Sequence, residues 1–286
     1  MGKRFCCRYK CRRSCPRILT YPFFCNKTLS LCRYVSGGKM INFQLWNNVQ
    51  NPVGVVQIIP NRNHNIKNYD RVATFLNKNG YIVWADELYV GTSEKTVFDD
   101  TVRDEMETLM MLKQKFKLPV FVIGDGYGSF VAQKLMQYSS LCSGGVCLSG
   151  GGRYTTIMLK VGVAMSWIGK KIWGDDACPK VIGKKNTPTH KCRTYDFWFN
   201  LFKNLQTIQY DIMPNIPLLI IGGEQDIYSM NGRLAKSLYN TYSKHNLNKL
   251  TLIIYPDAEK DLLFLPEYSD VYQDILDFIN NANFNK

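Results

Sequence analysis

Six short apolar runs recur along this chain, and the stretches between them are long enough to form crossing helices. They are VGVVQII (53–59), YIVWAD (81–86), PVFVIG (119–124), GGVCLSG (144–150), IPLLIIGG (216–223) and KLTLIIYP (249–256). A strand covered on both faces reads as a near-continuous apolar run, because neither of its alternating side-chain sets meets water. Parallel neighbours need crossovers of a dozen or more residues, usually helical. Residues 69–79 supply one, with apolar side chains at 69, 72, 75 and 76 and Gly80 as a stop. Residues 98–116 supply another, with acids early and lysines late, as the helix dipole favours. Further helices are expected at 129–138, 231–243 and 267–282, and Ile41–Trp46 alternates as a strand. The expectation is an α/β domain with a mostly parallel sheet and helices on both faces.

Residues 151–210 break this rhythm between the fourth and fifth runs, and they are rich in Lys, Trp and Phe. They read as a cap inserted over the sheet. Trp167, Trp173, Trp198 and Phe202 are its candidate ligand-pocket or membrane-touching residues, although such aromatics more often pack a small subdomain.

Charge and cysteine divide the chain differently. Of the net +13, nine units lie in residues 1–33, which hold no acid, so the remaining 253 residues carry only +4. Six of the ten cysteines lie there too: Cys6, Cys7, Cys11, Cys15, Cys25 and Cys32. Residues 1–36 therefore read as a basic, Cys-rich tail and residues 37–286 as the folded domain. Adjacent thiols at Cys6 and Cys7 are candidates for lipidation, and tail cations near an anionic leaflet contribute about 1 kcal/mol each. A solvated, unstructured tail is the competing reading. Zinc ranks lower because the tail has no C-x-x-C pair, and nucleic acid ranks lower because no companion fold signature is present. No secretory signal and no apolar run long enough to span a bilayer is found, and cysteine usage points to a reducing, intracellular setting; peripheral membrane contact is one reading of the tail's cations and thiols and of the cap aromatics.

The stretch VFVIGDGYGSF (120–130) is a strand delivering a sharp turn, with glycines at 124, 126 and 128. With serine at 126 it would read G-D-S-Y-G, a nucleophile elbow. The segments around it resemble the monoacylglycerol lipase and lysophospholipase group of α/β-hydrolases over residues 40–282. In that group the elbow reads Gly-His-Ser-Met-Gly-Gly, and the strand at 53–59 ends in His-Gly. Asp86, Gly91 and Ser93 match its second strand and the Asp-rich loop after it. IPLLIIGGEQD matches the strand whose loop supplies the catalytic acid, here Asp226, and LIIYPDAEKDLL matches the histidine loop, with Lys260 in the histidine's register.

The resemblance implies an α/β-hydrolase fold with a cap and an acylglycerol or lysophospholipid substrate class. The residues depart from it at three points. Gly126 has no side chain to attack with, and Lys260 is protonated at neutral pH, since an ordinary ammonium titrates near ~10.4. Pro60-Asn61 replaces His-Gly, and proline lacks the backbone N–H. Pro60, Asn61 and Tyr127 thus mark an altered oxyanion region, with Gly126, Asp226 and Lys260 as vestigial triad positions. A Lys260–Asp226 ion pair would be a structural remnant. The expectation is a non-catalytic protein, without metal or cofactor, that binds a lipid, an acyl ligand or a protein partner. The alternative is a residual ester hydrolase drawing on Asp125, Ser129, His64 or Asp226. His64 reads either as a solvated loop residue or as a neighbour of Asp125, and Cys142 and Cys147 read as small buried residues.

Overall fold

The computed structural model describes residues 4–6, 32–36, 39–62, 64–88, 97–137, 141–149, 152–179, 194–208, 210, 216–245, 247, 249–259, 261–264 and 269–284. Nine strands among them form a single sheet: β1 (Arg4–Cys6), β2 (Cys32–Ser36), β3 (Lys39–Trp46), β4 (Gly54–Ile59), β5 (Tyr81–Asp86), β6 (Val120–Asp125), β7 (Gly144–Leu148), β8 (Leu218–Gly223) and β9 (Leu250–Tyr255). Their order is β1-β2-β3-β5-β4-β6-β7-β8-β9. The six strands from β4 to β9 are mutually parallel, and β1 to β3 extend one edge antiparallel. Residues 4–6 and 32–36, assigned to the tail from sequence, thus have strand backbone paired to the sheet. Cys6 ends β1, whereas Cys7 lies outside the described residues.

Strand alternation divides the apolar runs between two cores. Val55, Ile82, Trp84, Val122, Cys147 and Ile220 face one layer of helices. Val56, Val83, Phe121, Ile123, Val146 and Ile221 face the other. The first layer is α2 (Val97–Phe116), α3 (Tyr127–Met136) and α6 (Arg233–Lys244); the second is α1 (Asp70–Lys78) and α7 (Ser269–Phe284). Each fully buried aliphatic side chain contributes about 1.5–3 kcal/mol, so the runs specify the sheet and its two coverings together. Gln57 is the polar exception within β4. Its amide donates to the Glu105 side chain of α2 at 2.7 Å and to the Glu105 carbonyl at 3.1 Å.

The cap is a helical hairpin of α4 (Thr156–Trp173) and α5 (Tyr195–Leu205). Thr155 and Thr194 cap the two N-termini, accepting from Met158 N and Phe197 N, each at 3.2 Å. Two glycines let the helices touch: a β-carbon would lie 2.7 Å from the Phe202 ring at Gly162 and 2.2 Å from the Tyr195 ring at Gly169. Lys170 of α4 pairs with Asp196 of α5. Burial opposes that ammonium's charge, yet Asp196 and Asp175 outweigh it and hold its pKa above the ordinary value. Cys178, in the turn after α4, is disulfide-bonded, a linkage more typical of oxidising settings than of the reducing one read from cysteine usage.

Candidate functional site

β6 carries the chain into a one-residue turn at Gly126 and straight out into α3, which begins at Tyr127 and not at 129. Gly126 sits at φ 53, ψ −111, a region that side chains on L-residues rarely adopt. Its N–H donates to Leu148 O at 2.9 Å, and its carbonyl accepts from Ser129 N at 3.1 Å. The flanking glycines serve close approach. A β-carbon on Gly124 would lie 2.4 Å from Gly128 O, and one on Gly128 would lie 2.0 Å from Ile59 O. The first turn of α3 is thus pressed against the end of β4, in a tight strand-to-helix turn whose central residue carries no side chain.

The room above Gly126 is taken by Asn61. A β-carbon built on Gly126 would stand 2.5 Å from Asn61 Nδ2, 2.7 Å from Cγ and 3.1 Å from Oδ1. The same Oδ1 lies 3.5 Å from the backbone N–H of Tyr127. In a nucleophile elbow that N–H faces the developing oxyanion. The Asn61 amide therefore fills the space beside Gly126 and approaches the Tyr127 N–H. Asn61 is held from behind, its backbone N donating to Tyr69 Oη at 2.8 Å. Pro60, which offers no N–H, is buried beside it, its carbonyl 2.9 Å from a β-carbon position on Gly128.

Next to the elbow lies a linked group of polar side chains. Tyr69 Oη donates to Asp125 Oδ2 at 2.7 Å, and His64 Nδ1 lies 3.2 Å from the same oxygen. The other ring nitrogen of His64 is 3.4 Å from Asp261 Oδ1. Phe264 meets both rings edge-on, at 4.9 Å from His64 and 5.2 Å from Tyr69. Burial, then the Asp125 charge, push the Tyr69 phenol well above its ordinary pKa, so it remains a donor. His64 is therefore a bridge between two carboxylates and not a solvated loop residue; only 15% of its side chain is exposed. Asp261 lies in the chain after β9 with φ 68, so the bridge ties the β4 exit to the β9 exit.

Arg62 extends this assembly toward the cap. Its guanidinium lies 4.5 Å from the Phe197 ring centroid and 5.9 Å from that of Tyr127, within cation–π range of both. Phe197 belongs to α5 and Tyr127 to the elbow, so buried Arg62 stands between cap and sheet.

The remaining sequence candidates separate. Asp226 lies in the loop after β8 and is buried, but its Oδ1 accepts from Tyr228 N at 2.9 Å and caps its own 3₁₀ turn. Lys260 lies outside the described residues, so its pairing with Asp226 is not seen. Ser129 is fully buried, with Oγ 2.6 Å from Gly124 O and 2.8 Å from Leu148 O, while Leu148 N donates to it at 3.0 Å. It is a strand-to-helix fastener and not an accessible nucleophile. Burial raises the thiols of Cys142 and Cys147 to about 11 and about 12. The four cap aromatics do not share one pocket. Trp198 and Phe202 stack at 5.6 Å against the core, whereas Trp167 and Trp173 are 51% and 62% exposed, Trp173 resting on Tyr195 at 5.5 Å. No group of His, Cys, Asp and Glu suited to a metal ion occurs among the described residues.

Comparison with solved structures identifies the fold. An open-form lipase superposes with TM-score 0.75 and 17% identity, covering 89% of this chain and 99% of its own. A monoglyceride lipase from Saccharomyces cerevisiae, a soluble variant with a substrate analogue, gives TM-score 0.64 and 16% identity over 92% of this chain and 98% of that one. Monoacylglycerol lipase from Paleococcus ferrophilus gives 0.62 and 14% over 85% and 99%. The fold is the α/β-hydrolase fold. No family model and no curated protein matches the sequence.

Proposed function

We propose that this protein is a non-hydrolytic relative of the lipases, one that engages lipid through its cap without cleaving it. The observation that carries the reading is the Asn61 amide seated against Gly126, where an elbow nucleophile would project. Acyl transfer through an elbow needs a hydroxyl or thiol there and a free donor at the following N–H. Gly126 offers neither group, and Asn61 Oδ1 lies near the Tyr127 N–H.

The lipid-facing part is α4. Ile157, Val161, Met165, Ile168 and Ile172 are between 41% and 75% exposed and recur at i, i+4, i+8, i+11 and i+15. That spacing makes one apolar stripe along the outer face of the hairpin. The helix contains no acid, and exposed Lys160 and Lys171 lie along one border of the stripe. An apolar face bordered by lysines matches an anionic bilayer surface, with side chains entering the interface and ammonium groups at the headgroups. No helix among the described residues is long and apolar enough to cross a membrane. The intact protein should float with phosphatidylcholine–phosphatidylserine vesicles and leave monoacylglycerol uncleaved; failure to bind vesicles would remove the lipid part.

A second reading rests on His64, whose ring lies between Asp125 and Asp261. A water positioned by that assembly could be activated without an elbow serine. Ester hydrolysis lost in both His64→Gln and Asp125→Asn would favour it over the first.

A further inference from the structure

α6 presents a second surface, away from the elbow. Arg233, Lys236, Ser237, Asn240 and Lys244 fall at i, i+3, i+4, i+7 and i+11, so they share one helical face. Across from them runs the short segment between β7 and α4, which contributes Arg153. Together with Thr241 and His245 these residues line an open groove of about 430 Å³. That volume lies in the range that accepts a small ligand.

The groove has a one-sided chemistry. Four of its residues are permanent cations at neutral pH, Ser237, Asn240 and Thr241 add neutral donors, and no Asp or Glu lines it. α6 itself contains no acid. Among the described residues, none of these four cations forms an ion pair. The body of the protein is only mildly basic, at +4 over 253 residues, so four uncompensated cations around one concavity are a local concentration and not the general surface. Their mutual repulsion favours binding of an anion.

Arg153 is held in place before any ligand arrives. Its backbone N–H donates to Leu234 O at 3.1 Å, its guanidinium donates to Thr241 Oγ1, and the guanidinium carbon lies 4.8 Å from the Tyr210 ring centroid. Gly152 allows the close approach, since a β-carbon there would stand 2.2 Å from Leu234 C. Burial raises the Tyr210 phenol to about 12 despite the opposing charge of Arg153, so this support keeps its proton. A guanidinium fixed on a phenol with unused donors facing a groove is suited to an oxyanion with several acceptor oxygens.

We propose that the groove between Arg153 and α6 binds a phosphate-bearing anion, either a soluble phosphate compound or the phosphate of a lipid headgroup. A tetrahedral dianion brings more acceptor oxygens and a larger charge to Arg153, Lys236 and Lys244 than the two oxygens and single charge of a carboxylate. The site is independent of the elbow and of the α4 stripe. It stands or falls separately from the lipid-binding cap.

The test uses the full-length chain, so that the tail cations are constant throughout. Pyrophosphate binding is measured by calorimetry at 0.1 M salt, and flotation compares vesicles containing phosphatidic acid or phosphatidylserine at matched surface charge. Lys236→Gln/Lys244→Gln is the first variant, because both side chains are exposed. Arg153→Gln is the second, with circular dichroism to verify folding. Saturable pyrophosphate binding, weakened at least tenfold in the double variant, supports a soluble ligand. Flotation that prefers phosphatidic acid and falls at least fivefold in the double variant, without pyrophosphate binding, supports the headgroup source. Binding to neither probe, or binding that the double variant leaves unchanged, overturns the proposal. Equal flotation with both lipids and no pyrophosphate binding also overturns it, because that is unspecific charge attraction.

Discussion

The side-chain amide of Asn61 lies 2.5 Å from the point where a β-carbon on Gly126 would stand, so a side chain at 126 would enter the volume this amide now fills and the amide would have to swing aside. In a catalytic elbow the strained residue owns that volume. Here the exit of β4 has taken it, and the glycine accepts φ 53 at low cost. The backbone of Asn61 is anchored by Tyr69, which also reaches Asp125.

Restoring a side chain at the turn therefore meets two penalties. Gly126→Ser should destabilise the protein by about 2–4 kcal/mol, from the strained backbone and the overlap with Asn61. In an Asn61→Gly background the same change should cost at least about 1 kcal/mol less. Urea unfolding of the four proteins in this cycle measures the coupling, and simple additivity would separate the two residues.

Ser129→Ala should lower stability by about 1–3 kcal/mol, because the Leu148 N–H and the Gly124 and Leu148 carbonyls lose a fully buried partner. Any trace esterase rate should be unchanged. A rate that vanishes with this hydroxyl while the fold persists would contradict its structural role.

The buried thiols make stability fall at alkaline pH. Cys142 and Cys147 ionise near about 11 and about 12 in the folded protein, against an ordinary value of 9.0. Above pH 9 the unfolded chain loses these protons first, so the folded state binds more protons and stability drops as pH rises toward 11. Under reducing conditions the urea midpoint should decline from pH 8.5 to 10, and less steeply in Cys142→Ala/Cys147→Ala. Iodoacetamide at pH 8 should leave both thiols unmodified in the native protein, as mass spectrometry can read.

On α4, Met165→Glu/Ile168→Glu should reduce vesicle flotation at least fivefold while stability moves by less than about 0.5 kcal/mol, since both side chains are exposed. Unchanged flotation would direct attention to the tail.

The sheet was legible in the sequence because parallel strands are buried on both faces. YIVWAD was expected at 81–86, and β5 spans Tyr81–Asp86. The turn at Gly126 was legible from its glycine spacing. What the sequence hid was contact between distant segments. Pro60-Asn61 read as a loss of the oxyanion loop, yet nothing local reveals that the Asn61 side chain folds back onto Gly126. The same holds for His64, which Asp125 and Asp261 claim from 61 and 197 positions away. The apolar stripe of α4 is present in the sequence at helical spacing, but the tryptophans drew attention to an inner pocket that Trp167 and Trp173 do not enter. A stripe alone cannot tell which face a hairpin partner covers; Gly162 and Gly169, pressed against Phe202 and Tyr195, decide it.

Reaction of the purified protein with a fluorophosphonate, read by intact mass, tests the proposed lack of elbow chemistry most directly. The expected result is an unmodified mass, alongside monoacylglycerol that remains uncleaved in the same preparation. A stoichiometric adduct on a single residue, lost together with ester hydrolysis when that residue is replaced, would contradict it.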